Sequence, residues 1–466
     1  MKKTIFRNYD IRGIVNEELL VDEVYNLARA IATYIQEADE TVKTVAVGMD
    51  GREHSPLIKD HLCKGLIDAG LDVIFLGLCT SPMVYFATHV RPVEAAIMIT
   101  ASHNPPEYNG FKICLGKTLL HGDQIRTIGQ LYEDKRYKKS DVKGAYYDQP
   151  IHNEYITWHA EHFSHLKGMQ LPVVIDCGNG AAAAIVPDFV RHMGWDNVHL
   201  LCDVIGGNTT HDADPTRAQN MEDVRSALAT TEAVVGVGFD GDADRMGAMT
   251  KQGELVGGDK LLAVFAGSMI DKHPGMTVVY NVVCSAGLAE ILEQWGAQTV
   301  VTPVGHSIVE ENMIAHNALL GGETSCHFFF RDRHFGYDDG LYAMLRLFDI
   351  LVGTGKTLSD LISVFPHKVT SLEYRIACSE EEKYAIVNEI KGHFYRQKQF
   401  QVSAIDGVRV TSDYGWGLLR ASNTQPVLSI RFEADTLENL HHIKEDFIVV
   451  LCHYFDQAFI REHLEM

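Results

Sequence analysis

The chain has 466 residues, which at about 150 residues per domain points to roughly three domains. Its 41 lysines and arginines face 62 aspartates and glutamates, a net charge of −21 with histidine neutral, and such a surplus works against nonspecific nucleic-acid binding and anionic membrane surfaces. Apolar residues make up 46% and charged ones 22%, near the globular average, so large buried cores are expected and wholesale disorder is not.

In chain order, residues 45–50 predict a buried strand, followed by a Gly/Pro-marked turn, a helix over 56–69 and a strand over 72–76. The same order recurs as a strand at 171–176, a turn at 177–180, a helix over 181–193 and a strand at 198–202. It recurs again as a strand at 277–283, a turn at 284–285, a helix over 286–295 and a strand at 299–302. Short β-rich runs alternating with helix-length segments predict βαβ units with mainly parallel sheets. Beyond 369 the pattern changes: 379–397 and 437–452 have helical periodicity, and 427–434 alternates. That alternation puts Leu428, Ile430 and Phe432 on one face, with Ser429, Arg431 and Glu433 on the other. The expected fold is three related α/β domains with mixed sheets, 1–148, 149–252 and 253–368, plus a smaller C-terminal α+β domain over 369–466, all around a central cleft.

The longest apolar run, 261–270, is about half the ~20 residues of a membrane span. The charges among the first ten residues stand where a signal peptide needs its apolar stretch. Nine scattered cysteines without a CxxC pair predict reduced thiols and a cytoplasmic protein. None of the 23 histidines falls in an HExxH pattern or a clustered Cys/His zinc spacing.

Four segments offer chemistry. Ser102 and His103 follow the apolar run 95–99, and Pro105 and Pro106 keep the next residues out of a helix. This is either a serine nucleophile at the C-terminal edge of a strand or a hydroxyl-rich turn. Asp240, Asp242 and Asp244 follow the strand-like run 233–237. In an extended loop, carboxylates at i, i+2 and i+4 project to one side, where a hard divalent cation, Mg²⁺ or Ca²⁺, relieves their repulsion. An EF-hand is excluded, because Arg245 stands where it needs glycine and Lys251 where it needs glutamate. Residues 321–327 place Glu323, Ser325 and His327 after two glycines, as a ligand-reading stretch or an ordinary loop. Residues 420–426 open with Arg420, whose planar fork suits phosphate, beside Ser422, Asn423 and Thr424, as a phosphate grip or a polar turn before a strand.

Two further motifs compete. Residues 353–357 suggest a P-loop, but Ile350 stands at its first glycine. Residues 178–183 match GxGxxA after a strand, with Asp203 placed for a ribose; this supports an NAD-dependent oxidoreductase, yet leaves the Ser102 loop and the three aspartates unexplained. Phosphoryl transfer fits all four segments better, since metal and cations must hold charge spread over phosphate oxygens.

Thr100-Ala101-Ser102-His103-Asn104-Pro105, Asp240-Gly241-Asp242-Ala243-Asp244-Arg245, Gly322-Glu323-Thr324-Ser325 and Arg420-Ala421-Ser422-Asn423-Thr424 resemble the four signature loops of the α-D-phosphohexomutases, in order and spacing. Phe6-Arg7-Asn8-Tyr9-Asp10-Ile11-Arg12-Gly13 and Asn109-Gly110-Phe111-Lys112 resemble the bacterial phosphomannomutase/phosphoglucomutase branch. The resemblance implies a phosphorylated Ser102 and one Mg²⁺ held by Asp240, Asp242, Asp244 and an oxygen on Ser102. It implies reversible exchange between hexose 6-phosphate and hexose 1-phosphate, of mannose and/or glucose, through a hexose 1,6-bisphosphate that turns around in the cleft. Glu323 and Ser325 then read sugar hydroxyls, with Thr324, Cys326 and His327 in the same loop, while Arg420, Ala421, Ser422, Asn423 and Thr424 grip the unreactive phosphate. Tyr9 and His306 match substrate positions, and Arg12, His103, Lys112 and Arg245 match catalytic ones. Arginine is the poorest proton carrier among these, given its high pKa.

The chain departs from the branch in two places. The sugar loop there usually reads GEMSGH, whereas Thr324 and Cys326 stand here, and Val283 precedes Cys284 where the branch often has lysine. Phosphoglucosamine mutase is therefore the nearest alternative. The expected partners are small phosphosugars, with no nucleic acid and no membrane, and a monomer is expected over an oligomer.

Overall fold

A computed structural model describes residues 1–206, 210–379, 381–422 and 426–465. They gather into two units, one of Met1–Ser268 with Ser325–Ile362, the other of Met269–Thr324 with Ser363–Met466.

The first unit holds two mixed sheets. Strands β1 (Ile11–Ile14), β2 (Thr44–Met49), β3 (Asp72–Leu78), β4 (Ala95–Ile99), β5 (Tyr108–Leu115), β6 (Thr118–Leu119) and β7 (Tyr146–Asp148) form one of them, in the order β1-β5-β4-β2-β3-β7 with β6 against β5. β2, β3, β4 and β7 run parallel, while β5 is antiparallel to β1 and β4. Val45, Ala46 and Val47 in sequence are all fully buried, the continuous apolar run that a central parallel strand needs when helices cover both faces. Ile31, Ile35, Ile58 and Leu62 from the helices Val24–Ala38 and Ser55–Asp68 join Val45, Val47 and Ile97 in one core. The helix Ser81–Val90 packs on β2 and β4 and starts cleanly, because the Thr80 side chain accepts from Met83 N and Pro82 sits in its first turn.

The second sheet runs β12-β11-β10-β8-β9, from β8 (Val173–Asp176), β9 (Val198–Leu201), β10 (Val235–Phe239), β11 (Met246–Thr250) and β12 (Leu255–Val256). β8 is parallel to β9 and β10, and β10 turns back antiparallel into β11, so residues 240–245 form the tip of a hairpin. The single helix expected over 181–193 is instead a 3₁₀ turn, Ala181–Ala184, and an α-helix, Val186–Met193. Pro187 in the first turn of the α-helix has no N–H to continue the preceding turn and fits only at such a start. The apolar run 261–270 falls on the helix Gly258–Met269 and runs one residue past its end. Among the described residues, no helix is long and apolar enough to cross a membrane.

In the second unit, β13 (Thr277–Asn281), β14 (Gln298–Thr302) and β15 (Leu320–Gly322) are parallel, with β13 between the other two. The C-terminal sheet is antiparallel throughout and centres on Val427–Ala434 and Gly415–Ala421. Helices Glu382–Tyr395 and Leu437–Leu451 cover its apolar face, where Leu428, Ile430 and Phe432 are fully buried. The polar face expected on Val427–Ala434 is not wholly solvated: Glu433 and Ser429 are buried as well. Glu433 Oε1 accepts from Trp416 Nε1 and Ala286 N, both at 2.8 Å, because the segment after β13 covers this side with Val282 against Trp416 and Leu418. A last helix, Gln457–Glu465, which the sequence reading did not foresee, buries Ile460 and Leu464 in the same core. The expected class, α/β sheets followed by a smaller α+β sheet, is the observed one.

Candidate active site

Ser102 sits just beyond the buried end of β4 in a left-handed conformation (φ +50°), which costs a non-glycine residue about 1 kcal/mol. The turn is fixed by Ser102 N donating to Thr100 Oγ1 at 2.9 Å. The hydroxyl points at the β10–β11 hairpin: Ser102 Oγ donates to Asp240 Oδ2 at 2.8 Å, and His103 Nδ1 lies 3.1 Å from the same Oγ. One hydroxyl carries one proton, so while Oγ donates to Asp240 the contact to His103 needs Nδ1–H as donor. Burial, with the charges of Arg245 and Arg12 adding to it, pushes the His103 pKa well down and keeps the ring neutral.

Asp240, Asp242 and Asp244 are fully buried, and each brings a carboxylate oxygen to within 4.8 Å of the others. The backbone is not a plain extended strand here, since Ala243 takes φ +60° to turn the third carboxylate inward. Asp242 Oδ2 accepts from Ser81 Oγ at 2.5 Å and from Lys112 Nζ at 2.6 Å, and Lys112 Nζ also donates to Asp244 Oδ2. Asp242 Oδ1 is buried without a hydrogen-bond partner among the described residues. Burial and the like charges of Asp244 and Asp242 raise the Asp240 pKa well above the usual carboxylate range. For Asp242, burial pushes the same way, but Lys112 and Ser81 outweigh it and hold the pKa down. Lys112 keeps its proton in spite of burial, because Asp242 and Asp244 raise its pKa. Converging hard oxygens, one of them unsatisfied, fit a hard divalent cation, and these three side chains are the ones placed to hold it.

Gly241 explains how two loops come so close. A Cβ there falls 2.2 Å from the Ser102 carbonyl oxygen, and one on Gly180 falls 2.7 Å from the Gly241 carbonyl oxygen. Ala181 N donates to that same carbonyl at 2.9 Å. The GxGxxA turn thus braces the aspartate loop and opens into a 3₁₀ turn, not a free helix N-terminus for a pyrophosphate. The dinucleotide reading fails for that reason.

Arg52, which no motif flagged, clamps the serine loop. Its Nη2 donates to the carbonyls of Ser102 (2.7 Å) and Asn104 (2.6 Å), its Nη1 to those of Pro105 (2.6 Å) and Tyr108 (3.1 Å), and its Nε to Asp50 Oδ2 (3.1 Å). The available signal was position alone, a Gly-Arg pair just past the C-terminal end of β2. Replacing Arg52 by lysine keeps the charge and loses the planar fork. The expected result is a stability loss of about 2–4 kcal/mol from carbonyls left without partners, seen by chemical denaturation. A fall in kcat of roughly 10–100-fold through a misplaced Ser102 should accompany it.

Arg245 binds the hairpin to the segment 325–338. Its N donates to Asp240 Oδ1 at 3.2 Å and its Nε to His327 Nε2 at 3.0 Å, while His327 Nδ1 donates to Asp338 Oδ2 at 2.7 Å. That chain fixes the His327 tautomer, and Asp338 is the member the sequence did not reveal. Asp240, Asp214 and Asp244 outweigh burial and raise the Arg245 pKa, so it is a permanent cation. Cys326 is buried in a left-handed turn (φ +67°), and burial pushes its thiol up to about 12. Ser325 is half-buried beside it. Arg12 Nη1 donates to Asn104 Oδ1 at 2.6 Å and Nη2 pairs with Asp10, while half-buried Tyr9 lies in the bend before β1. The first unit therefore brings Ser102, His103, Lys112, Arg12, Arg245, His327 and the three aspartates into one linked network.

In the second unit, Glu323 is buried at the end of β15, and its Oε1 accepts from Asn281 Nδ2 and Gly305 N, both at 2.9 Å. Gly305 leads into the helix His306–Ala315, whose first residue, His306, is largely buried. Thr324 follows Glu323 and is half-buried. Arg420, on the strand Gly415–Ala421, pairs through Nε and Nη2 with Asp406 Oδ2 at 3.0 Å, and Asp406 also accepts from Val304 N. Ala421 is buried, and Ser422 N donates to Val427 O. Asn423 and Thr424 lie outside the described residues.

Four family models match the chain: "Phosphoglucomutase/phosphomannomutase, alpha/beta/alpha domain I" over 3–139, domain II over 153–253, domain III over 257–369, and the C-terminal domain over 373–449. A Pseudomonas putida protein named phosphomannomutase/phosphoglucomutase is 36% identical, over 95% of this chain and 94% of its own. A phosphoglucomutase of Neisseria meningitidis is also 36% identical, over 96% and 97%. The crystal structure of a phosphoglucomutase/phosphomannomutase family protein from Burkholderia thailandensis superposes with a TM-score of 0.89 at 33% identity, covering 97% of this chain and 98% of that one. With the models spanning all four parts of the chain and the relatives matching almost its whole length, the chain belongs to the phosphoglucomutase/phosphomannomutase family.

Proposed function

We propose that the protein interconverts hexose 6-phosphate and hexose 1-phosphate, of mannose and/or glucose, through a phosphorylated Ser102 and a hexose 1,6-bisphosphate. The observation that carries this reading is the hydrogen bond from Ser102 Oγ to a buried cluster of three aspartates. Asp240, Asp242, Asp244 and an oxygen on Ser102 hold one Mg²⁺, which when bound supplies positive charge against the phosphoryl oxygens. The sugar hydroxyl attacks the phosphorus on Ser102 and the bond to Oγ breaks; the departing Oγ takes a proton from His103 Nδ1–H while the neutral ring takes up the proton of the attacking hydroxyl. After the bisphosphate turns around, its other phosphate returns to Ser102 and the proton goes back.

Lys112, Arg12 and Arg245 act as fixed cations rather than proton carriers, Lys112 because its two carboxylate partners hold its proton. Glu323 and Ser325 read sugar hydroxyls, with Thr324, Cys326 and His327 shaping that loop. Arg420, Ala421, Ser422, Asn423 and Thr424 take the unreactive phosphate, and Tyr9 and His306 contact substrate. The domains run 1–148, 149–252, 253–368 and 369–466, and the protein works as a cytoplasmic monomer. Side-by-side coupled assays with the 1-phosphates of mannose, glucose and glucosamine test the substrate class. Turnover of mannose and/or glucose phosphate well above that of glucosamine phosphate is expected. Equal or faster turnover of glucosamine phosphate would make the protein a phosphoglucosamine mutase instead.

A further inference from the structure

Asp176, Cys202 and His211 form a second set of convergent ligand atoms, away from the three aspartates. Asp176 ends β8 and Cys202 follows the end of β9, its parallel neighbour. His211 comes from the segment leading to Pro215, whose carbonyl oxygen lies where a Cβ on Gly247 would meet it at 2.7 Å, on the β10–β11 hairpin. His211 Nε2 is 2.9 Å from Asp176 Oδ2 and 3.7 Å from Cys202 Sγ. In a tetrahedral zinc site with bonds of about 2.0–2.3 Å, neighbouring N and O ligands lie ~3.3 Å apart and N and S ligands ~3.6 Å. Both separations from His211 Nε2 are within a few tenths of an ångström of those values, and all three atoms lie within 4.8 Å of one another.

The groups behind these atoms orient them as metal ligands usually are. His211 Nδ1 donates to Asp212 O at 2.8 Å, leaving Nε2 as the coordinating atom, and Asp176 Oδ1 accepts from Gly178 N at 2.8 Å, aiming Oδ2 at the site. Cys202 takes a left-handed backbone (φ +47°) whose carbonyl accepts from Asn179 N. His211 also lines, with Asp212, Gly178 and Asn179, the cavity of about 560 Å³ that reaches Ser102 and His103, a route for an ion and room for a fourth, exchangeable ligand. We propose that Asp176, Cys202 and His211 bind a zinc-class divalent cation and that this ion clamps the segment 211–215 behind the hairpin carrying Asp240–Arg245. A thiolate and an imidazole separate this site from the all-oxygen site, which favours magnesium. The spacing 176, 202, 211 matches no zinc motif because parallel pairing of β8 and β9, not local sequence, assembles it.

A thiol must lose its proton to coordinate, so binding at Cys202 Sγ forms a thiolate–metal bond that a spectrum can follow. The test is titration of the metal-free full-length protein with Co²⁺ in excess Mg²⁺. A thiolate-to-cobalt charge-transfer band should saturate at one equivalent, be displaced by Zn²⁺, vanish in Cys202→Ser, and need about 100-fold more Co²⁺ in His211→Ala. Absence of the band at saturating Co²⁺, or an undiminished band in Cys202→Ser, overturns the proposal. Equilibrium dialysis of the wild type against Zn²⁺ in excess Mg²⁺, which needs no variant to fold, gives a second reading: one retained Zn²⁺ per chain supports the site, and none overturns it.

Discussion

Replacing Ser102 by alanine is expected to lower mutase turnover by about a thousandfold or more, because in the proposed mechanism the substitution removes the oxygen that carries the phosphoryl group between the two half-reactions. The fold should hardly notice. Among the described residues Ser102 Oγ hydrogen-bonds to Asp240 and His103, and alanine leaves the backbone clamp from Arg52 to the loop intact. The left-handed turn remains, with Thr100 Oγ1 still accepting from the backbone N of residue 102. A thermal melt close to wild type alongside lost turnover is therefore the expected pair of observations. Unchanged turnover would remove Ser102 from the chemistry.

Lys112→Met should behave in the opposite way, as a stability variant first. The ammonium sits between Asp242 and Asp244 with all three side chains nearly or wholly buried. Removing one member of a buried charge cluster leaves uncompensated charge and costs about 3–5 kcal/mol. Arg245 remains near Asp240 but is already shared with Asp214. A divalent cation held by the same carboxylates would offset part of that loss, so Mg²⁺ is expected to raise the melting temperature of the variant by more than that of the wild type. If Mg²⁺ moves both melting curves equally, the three aspartates are not where the cation binds.

Features local in sequence were legible, and those assembled by the fold were not. The three aspartates read clearly because alternate spacing with two small intervening residues marks them as a set, although it is the left-handed turn at Ala243, which no spacing shows, that brings the third inward. Ser102 read as a nucleophile candidate because two prolines hold its loop open at a strand end. Arg52 did not, since its partners are main-chain carbonyls about fifty positions away and every residue type has one. Asp338 escaped in the same way: it acts through His327, which the fold brings beside Arg245 and Asp244. The alternation in 427–434 gave the right inner face, but could not show that residues 282–286 cover the other. The GxGxxA turn was the one misleading pattern. Its glycines serve the close approach that the motif describes, but the group that approaches is the Gly241 carbonyl of the same chain.

The most direct test of a phosphoserine mutase is phosphopeptide mapping of the wild-type protein after incubation with glucose 1,6-bisphosphate and Mg²⁺. A peptide containing Ser102 should be heavier by one phosphate (~80 Da), and the label should leave that peptide on addition of glucose 1-phosphate or mannose 1-phosphate. Phosphate found elsewhere with Ser102 unmodified, or a phosphoserine that neither sugar phosphate discharges, would contradict it.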